Sequence, residues 1–134
     1  MRPDDWPERL AEFIEHHLKT PFSWGDHDCS QFVIKCEIAI TSQTKFSDSI
    51  GRYSSKRGSY LHLKRQGFRS LWPYVSSRYT EIGRSFAKRG DVVGHYTQDG
   101  ESVGILLDKC FACPSDDGIY FKPIHTAHRF WRFD

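Results

Sequence analysis

The sequence predicts an α+β fold, with helices first and a small antiparallel sheet last. Three observations predict it. Apolar residues recur at helical spacing from Asp5 to about Ile82, the period changes to alternation after Arg89, and an Asp99-Gly100 pair divides two apolar runs where a hairpin turns. The 134 residues fit one domain with its own core, helical over about 4–82 and β over about 89–134.

The first helix is expected over Asp5 to Lys19. Leu10, Phe13, Ile14, His17 and Leu18 fall at helical spacing, Pro7 sits in the opening turn where its missing N–H costs nothing, and Thr20-Pro21 end the run. A second helix runs from about Asp28 to Ile40, with Phe32, Val33, Cys36, Ala39 and Ile40 on one face. Asp28 is a good N-cap and places Cys29 at the first helical position. Thr41 to Ser49 reads as a polar connection. Ile50 to Ile82 reads as helical, one segment carrying Tyr60, Leu61, Leu63 and Phe68 and another running from Leu71 to Tyr79, divided near Gln66-Gly67.

Gly90 to Tyr96 reads as a strand, Gln98 to Glu101 as a tight turn and Ser102 to Leu107 as the partner strand. With Asp99-Gly100 as the central turn residues, Gln98 pairs with Glu101 and Thr97 with Ser102. His95 then shares a sheet face with Ser102, two residues along the adjoining strand, and a one-residue slip would send it to the other face. Shorter strands follow at Cys110 to Ala112, Gly118 to Lys122 and His128 to Phe133, separated by Pro114 to Gly118 and by Pro123.

Composition excludes several function classes. Ten Phe, six Tyr and four Trp require a packed interior rather than a disordered chain. The 19 basic and 17 acidic residues are interspersed and leave a net charge of +2, so no electrostatic footprint for nucleic acid is present, and Arg52 to Arg69 reads as a solvated helical face. No stretch reaches the roughly 18 apolar residues of a membrane span. The start Met1-Arg2-Pro3-Asp4-Asp5 lacks the apolar core of a secretory signal, so synthesis and folding in a cytoplasm are expected, with Cys29, Cys36, Cys110 and Cys113 as thiols.

The chemistry concentrates in Phe22 to Val33, where a turn-forming loop delivers Cys29 to a helix start. A thiol there feels the positive end of the macrodipole and unpaired N–H groups, which lowers its pKa and makes thiolate available near neutral pH. Cys36, seven residues on along the same face, reads instead as a small buried hydrophobe. In the C-terminal part, Cys110-x-x-Cys113 with His125-x-x-His128 approximates a zinc-ligand series, although the histidines are close together and the apolar Phe111-Ala112 between the cysteines suits a strand better than a knuckle.

Trp24-Gly25 followed by Asp28-Cys29-Ser30-Gln31-Phe32-Val33, and then Arg89-Gly90-Asp91-Val92-Val93 leading into Ser102-Val103-Gly104-Ile105, resembles the NlpC-type branch of the papain-like cysteine peptidases. The fuller pattern adds Asp5-Trp6-Pro7, the His27-Asp28-Cys29 tripeptide, Phe111-Ala112-Cys113-Pro114 and the closing Arg129-Phe130-Trp131-Arg132. It resembles a small group of uncharacterised proteins encoded among phage and prophage tail genes. The resemblance spans nearly the whole chain. It implies a papain-like fold in which Cys29 attacks an amide of a peptidoglycan stem peptide without cofactor or metal. It also implies synthesis in a bacterial cytoplasm, a place on a virion tail, and peptidoglycan peptide or other tail proteins as partners.

One position departs from the pattern. Where enzymes of the superfamily carry the catalytic histidine at the start of the second strand, this chain has Ser102, and a serine cannot accept a thiol proton at neutral pH. Either another histidine supplies the base, or the fold persists as a non-catalytic structural or adaptor component of a tail tip. His95 is one replacement, by its register beside Ser102. His27, two residues before Cys29, is another, although its first reading is structural, fixing the loop by side-chain hydrogen bonds; His125 and His128 read as solvated. Trp24, Asp28, Ser30 and Ser102 are candidates to line a cleft or contribute to an oxyanion site, and Cys113 and Asp116 lie where the superfamily's last polar residue would be sought.

Overall fold

The computed structural model describes residues 2–134. Four α-helices, α1 (Trp6–His17), α2 (Cys29–Thr41), α3 (Lys56–Arg65) and α4 (Leu71–Ser76), precede six strands: β1 (Thr80–Ile82), β2 (Val92–Thr97), β3 (Gly100–Leu106), β4 (Cys110–Ser115), β5 (Gly118–Pro123) and β6 (Arg129–Arg132). The strands form one antiparallel sheet in the order β1-β6-β2-β3-β4-β5.

Helices α1 and α3 are set by local chemistry. Pro7 occupies the opening turn of α1, and Leu10 and Phe13 turn its apolar stripe inward. Ser55 caps α3 by accepting the Gly58 amide at 2.9 Å. The sheet alternates as a half-buried sheet must. Val92, Val103, Ile105 and Trp131 meet Leu10, Phe13, Phe32 and Ile40 on the helical side, while Val93, Leu106, Phe111 and Phe130 form a second cluster on the other face. Burying one such side chain stabilises the fold by about 1.5–3 kcal/mol.

Two expectations are corrected. Ile50 to Ile82 is not helical throughout: α4 ends at Ser76, and Thr80–Ile82 is a strand paired with Phe130 to Arg132. The chain is turned out of the helix as Tyr79 is drawn to the buried carboxylate of Glu37, its hydroxyl donating at 2.5 Å. The hairpin register also moves. Thr97 pairs with Gly100, Tyr96 with Glu101 and His95 with Ser102, so Gln98-Asp99 form the tip. Contacts from α3 hold that tip: Lys56 pairs with the Asp99 carboxylate at 2.6 Å, and the Tyr60 hydroxyl donates to the Asp99 carbonyl at 3.1 Å. The parity survives, and His95 lies directly across from Ser102 on one face rather than two residues away.

Candidate functional site

The loop before α2 is wound tightly. The His27 amide donates to the Ser23 carbonyl at 2.7 Å, and Gly25 turns at φ +84°, where a Cβ would stand 1.9 Å from the Tyr53 carbonyl oxygen. Only glycine lets the Tyr53 segment pass this close to the loop. Asp28 then caps α2, one carboxylate oxygen accepting the Gln31 amide and the other the Gly25 amide, each at 2.9 Å. Cys29 is thereby the first residue of α2, as its spacing predicts.

Cys29 opens on a cavity of about 420 Å³ between α2, α3, α4 and the start of β3. Trp24, Asp28, Ser30, Ser102 and His95 all line it with Cys29, so six of the seven expected site residues share one space. The seventh, His27, does not line it. Its fully buried ring packs 4.9 Å from that of His17 and 5.6 Å from that of Phe32, and Nδ1 lies 3.2 Å from the Lys35 ammonium. His27 sits in the seam between α1 and α2, away from the cavity, where its contacts are those of a structural residue.

The acidities run against the expected thiolate. The Cys29 thiol is pushed up from its ordinary value, first by burial and then by the negative charge of Asp28, with the Ser102 hydroxyl, the Val103 backbone and the Ser30 hydroxyl opposing. The helix start alone predicts a lowered value; the carboxylate that caps the helix and the burial of the sulfur outweigh it. Asp28 is itself raised by burial, against hydrogen bonds that include the Tyr53 hydroxyl. Cys113, on β4, is pushed up to about 11, again by burial.

His95 is fully buried, its ring 4.8 Å from Phe111, and burial followed by the Lys122 charge lowers its pKa to about 4. Nδ1 stands 3.1 Å from the Lys122 ammonium, which can only donate; Nε2 therefore carries the imidazole proton and has no hydrogen-bond partner. Among the described residues no hydrogen bond joins a histidine to Cys29, whose sulfur lies 4.0 Å from the Ser30 hydroxyl.

Several residues of the site carry no sequence signal. Tyr53 reaches the cavity beside Asp28 and accepts from the Gln31 side chain at 3.3 Å. At the far end Ser49 lies between the His62 ring, 2.9 Å away, and the Tyr74 hydroxyl, 2.7 Å away. The contact of Gly25 with Tyr53 and the hydrogen bond from Gln31 to the Ser49 carbonyl at 3.0 Å join these segments to the Cys29 loop only in three dimensions. The zinc series is not assembled. Cys110 and Cys113 are three apart on a strand and so face opposite ways, and no group of three or more His, Cys, Asp or Glu fit to hold a metal occurs among the described residues. No helix among them is long and apolar enough to cross a membrane.

The family model described as a domain of unknown function (DUF6950) matches residues 1–133. No curated protein matches the sequence. Among solved structures, the crystal structure of the NlpC/p60 domain of the peptidoglycan hydrolase SagA superposes with a TM-score of 0.58 at 18% identity, covering 92% of this chain and 96% of that one. The fold is therefore the papain-like, NlpC-type α+β fold.

Proposed function

The chain belongs to the DUF6950 family, and we propose that this member is a thiol hydrolase that cleaves an amide of a peptidoglycan stem peptide through Cys29. The observation that carries the reading is the position of Cys29 as the capped first residue of α2, opening on the cavity with Ser102 at the start of β3. The likeness in fold to a domain of a peptidoglycan hydrolase supports the substrate class. In this reading the Cys29 sulfur attacks the amide carbonyl, its proton passes to the departing amine, and water hydrolyses the resulting thioester. His95 is the proton carrier. It rests neutral with Nδ1 held by Lys122, so withdrawal of Lys122 is the step that frees it to change tautomer and accept from the thiol side. We place the protein, made in a bacterial cytoplasm, on a phage or prophage tail, where such a hydrolase opens the wall.

A second reading has its own support. Ser102 where an imidazole would stand, a thiol pushed up and an imidazole lowered to about 4 are the state of a site with no resting ion pair, which fits a non-catalytic adaptor of a tail tip. Incubating the purified protein with stem tri- and tetrapeptides between pH 6 and 9 separates the two. The hydrolase reading expects cleavage products by mass spectrometry that vanish in Cys29→Ala and fall strongly in His95→Ala. No products from the unaltered protein, with particle infectivity intact in Cys29→Ala, ends that reading in favour of the adaptor.

A further inference from the structure

The cavity extends well past the thiol, and its walls change character with depth. Val33 and Ile34 on α2, Leu63 on α3, Leu71 and Val75 on α4 and the Phe46 ring form an apolar sleeve reaching toward Ser49 and His62. Cys29, Ser30, Val33 and Ile34 follow one stripe of α2, about 7.5 Å long at about 1.5 Å per residue, so the sleeve begins at the sulfur and runs along the helix. No lysine or arginine lines any part of it; the charged lining groups are Asp28, Asp99, Glu101 and Asp116, all acidic. Asp28 is held by two amides, Asp99 by Lys56, and Glu101 accepts the Trp72 amide at 2.9 Å. The nearest ammonium groups, of Lys56 and Lys122, are engaged behind the lining residues Asp99 and His95, so an anionic group entering here meets carboxylates first, whereas an uncharged apolar group meets a matching wall.

We infer that the sleeve is an acyl pocket: the group that Cys29 receives is an uncharged acyl group with an apolar chain, either a straight fatty-acyl chain or the apolar side chain of a peptide residue. This rests on the reading of Cys29 as the nucleophile and names what it acts on: a peptide side chain in the sleeve keeps the stem-peptide substrate proposed above, and a fatty-acyl chain replaces it. The sulfur bonds to the acyl carbon, the carbonyl–heteroatom bond breaks, and the leaving group departs with the thiol proton. Water then cleaves the thioester to the carboxylic acid and restores the thiol. Each methylene drawn into apolar surroundings favours binding about threefold to fourfold.

Two measurements test this without depending on each other. Calorimetry of Cys29→Ala with hexanamide and acetamide reads the sleeve alone, and hexanamide is expected to bind at least about tenfold more tightly. Burst release from p-nitrophenyl acetate, p-nitrophenyl hexanoate and N-acetyl-leucine p-nitrophenyl ester, with the adduct located by mass spectrometry, reads acylation of the unaltered protein. The expected adduct is on Cys29 and forms at least about tenfold faster from hexanoate or the leucine ester than from acetate. The faster of those two identifies the source of the chain. Hexanamide binding with no acylation of Cys29 by any ester supports the pocket and overturns the nucleophile. Acylation of Cys29 indifferent to chain length, with no preference for hexanamide, overturns the pocket and leaves the nucleophile standing.

Discussion

Cys29 and Asp28 are adjacent, and their chemistry pulls in opposite directions. The carboxylate that caps α2 organises the helix start, and its charge also holds the neighbouring sulfur protonated. Asp28→Asn removes the charge and keeps one of the two amide contacts, since asparagine offers a single acceptor oxygen where aspartate accepts both the Gln31 and the Gly25 amides. We expect the variant to lose about 1–2 kcal/mol of stability for the Gly25 amide left without an acceptor, while Cys29 alkylation by iodoacetamide at pH 7 becomes several-fold faster. An unchanged alkylation profile would mean that burial alone sets the thiol. Ser102→His puts an imidazole in place of the hydroxyl that now reaches the sulfur. General acid–base assistance contributes about 10²–10⁴-fold, so thiol reactivity near neutral pH should rise by a sizeable part of that. A variant that folds and reacts no faster shows that the β3 start does not face Cys29. The position of Cys29 at the start of α2 was legible because an N-cap and the helix behind it are local in sequence. The direction of its acidity was not, since burial depends on α3, α4 and the sheet.

Among the elements, those with a local signature were readable and those set by distant contacts were not. The start of α2 and the pairing of β2 with β3 follow from a cap residue, alternation and a turn. Strand β1 has three residues, too short for any period, and exists because β6 offers it a partner. The hairpin tip shifted because α3 grips Asp99, which no turn propensity records. The connection after α2, polar in composition, is organised by Glu37: this buried carboxylate accepts the Tyr79 hydroxyl at 2.5 Å and the Thr44 hydroxyl at 2.7 Å. Glu37→Ala leaves the buried Tyr79 hydroxyl and the half-buried Thr44 hydroxyl without their acceptor and should destabilise the protein by about 2–3 kcal/mol, since breaking a buried polar cluster from one side costs the desolvation of what remains. A urea titration reads it, and a loss below about 1 kcal/mol would show that water replaces the carboxylate.

Across the whole molecule the histidines link stability to pH. His27 at the α1–α2 seam and His95 on the sheet are both lowered to about 4, burial being the first cause and Lys35 or Lys122 the second. His17 and His62 are lowered as well. The ordinary histidine value is 6.5, so between pH 6.5 and 4 the unfolded chain binds protons that the folded chain refuses. The stability these groups confer is therefore complete above pH 6.5 and is lost as pH falls toward 4, by about 2–3 kcal/mol for each of the two strongest. Asp28, raised by burial, works the other way near the bottom of the window, where its protonation favours the folded form. Asp48 and Glu81, lowered by Arg78 and Arg129, add a loss only at and below their ordinary values of 3.8 and 4.5. Urea midpoints taken at pH 7.5 and pH 5 should accordingly differ, the acid one being lower, and His27→Gln and His95→Gln should each remove part of the difference. These rings occupy separate places, so the two variants combined should flatten the profile by the sum of their separate effects. Midpoints that coincide at the two pH values would show that the buried imidazoles do not govern the acid stability of this fold.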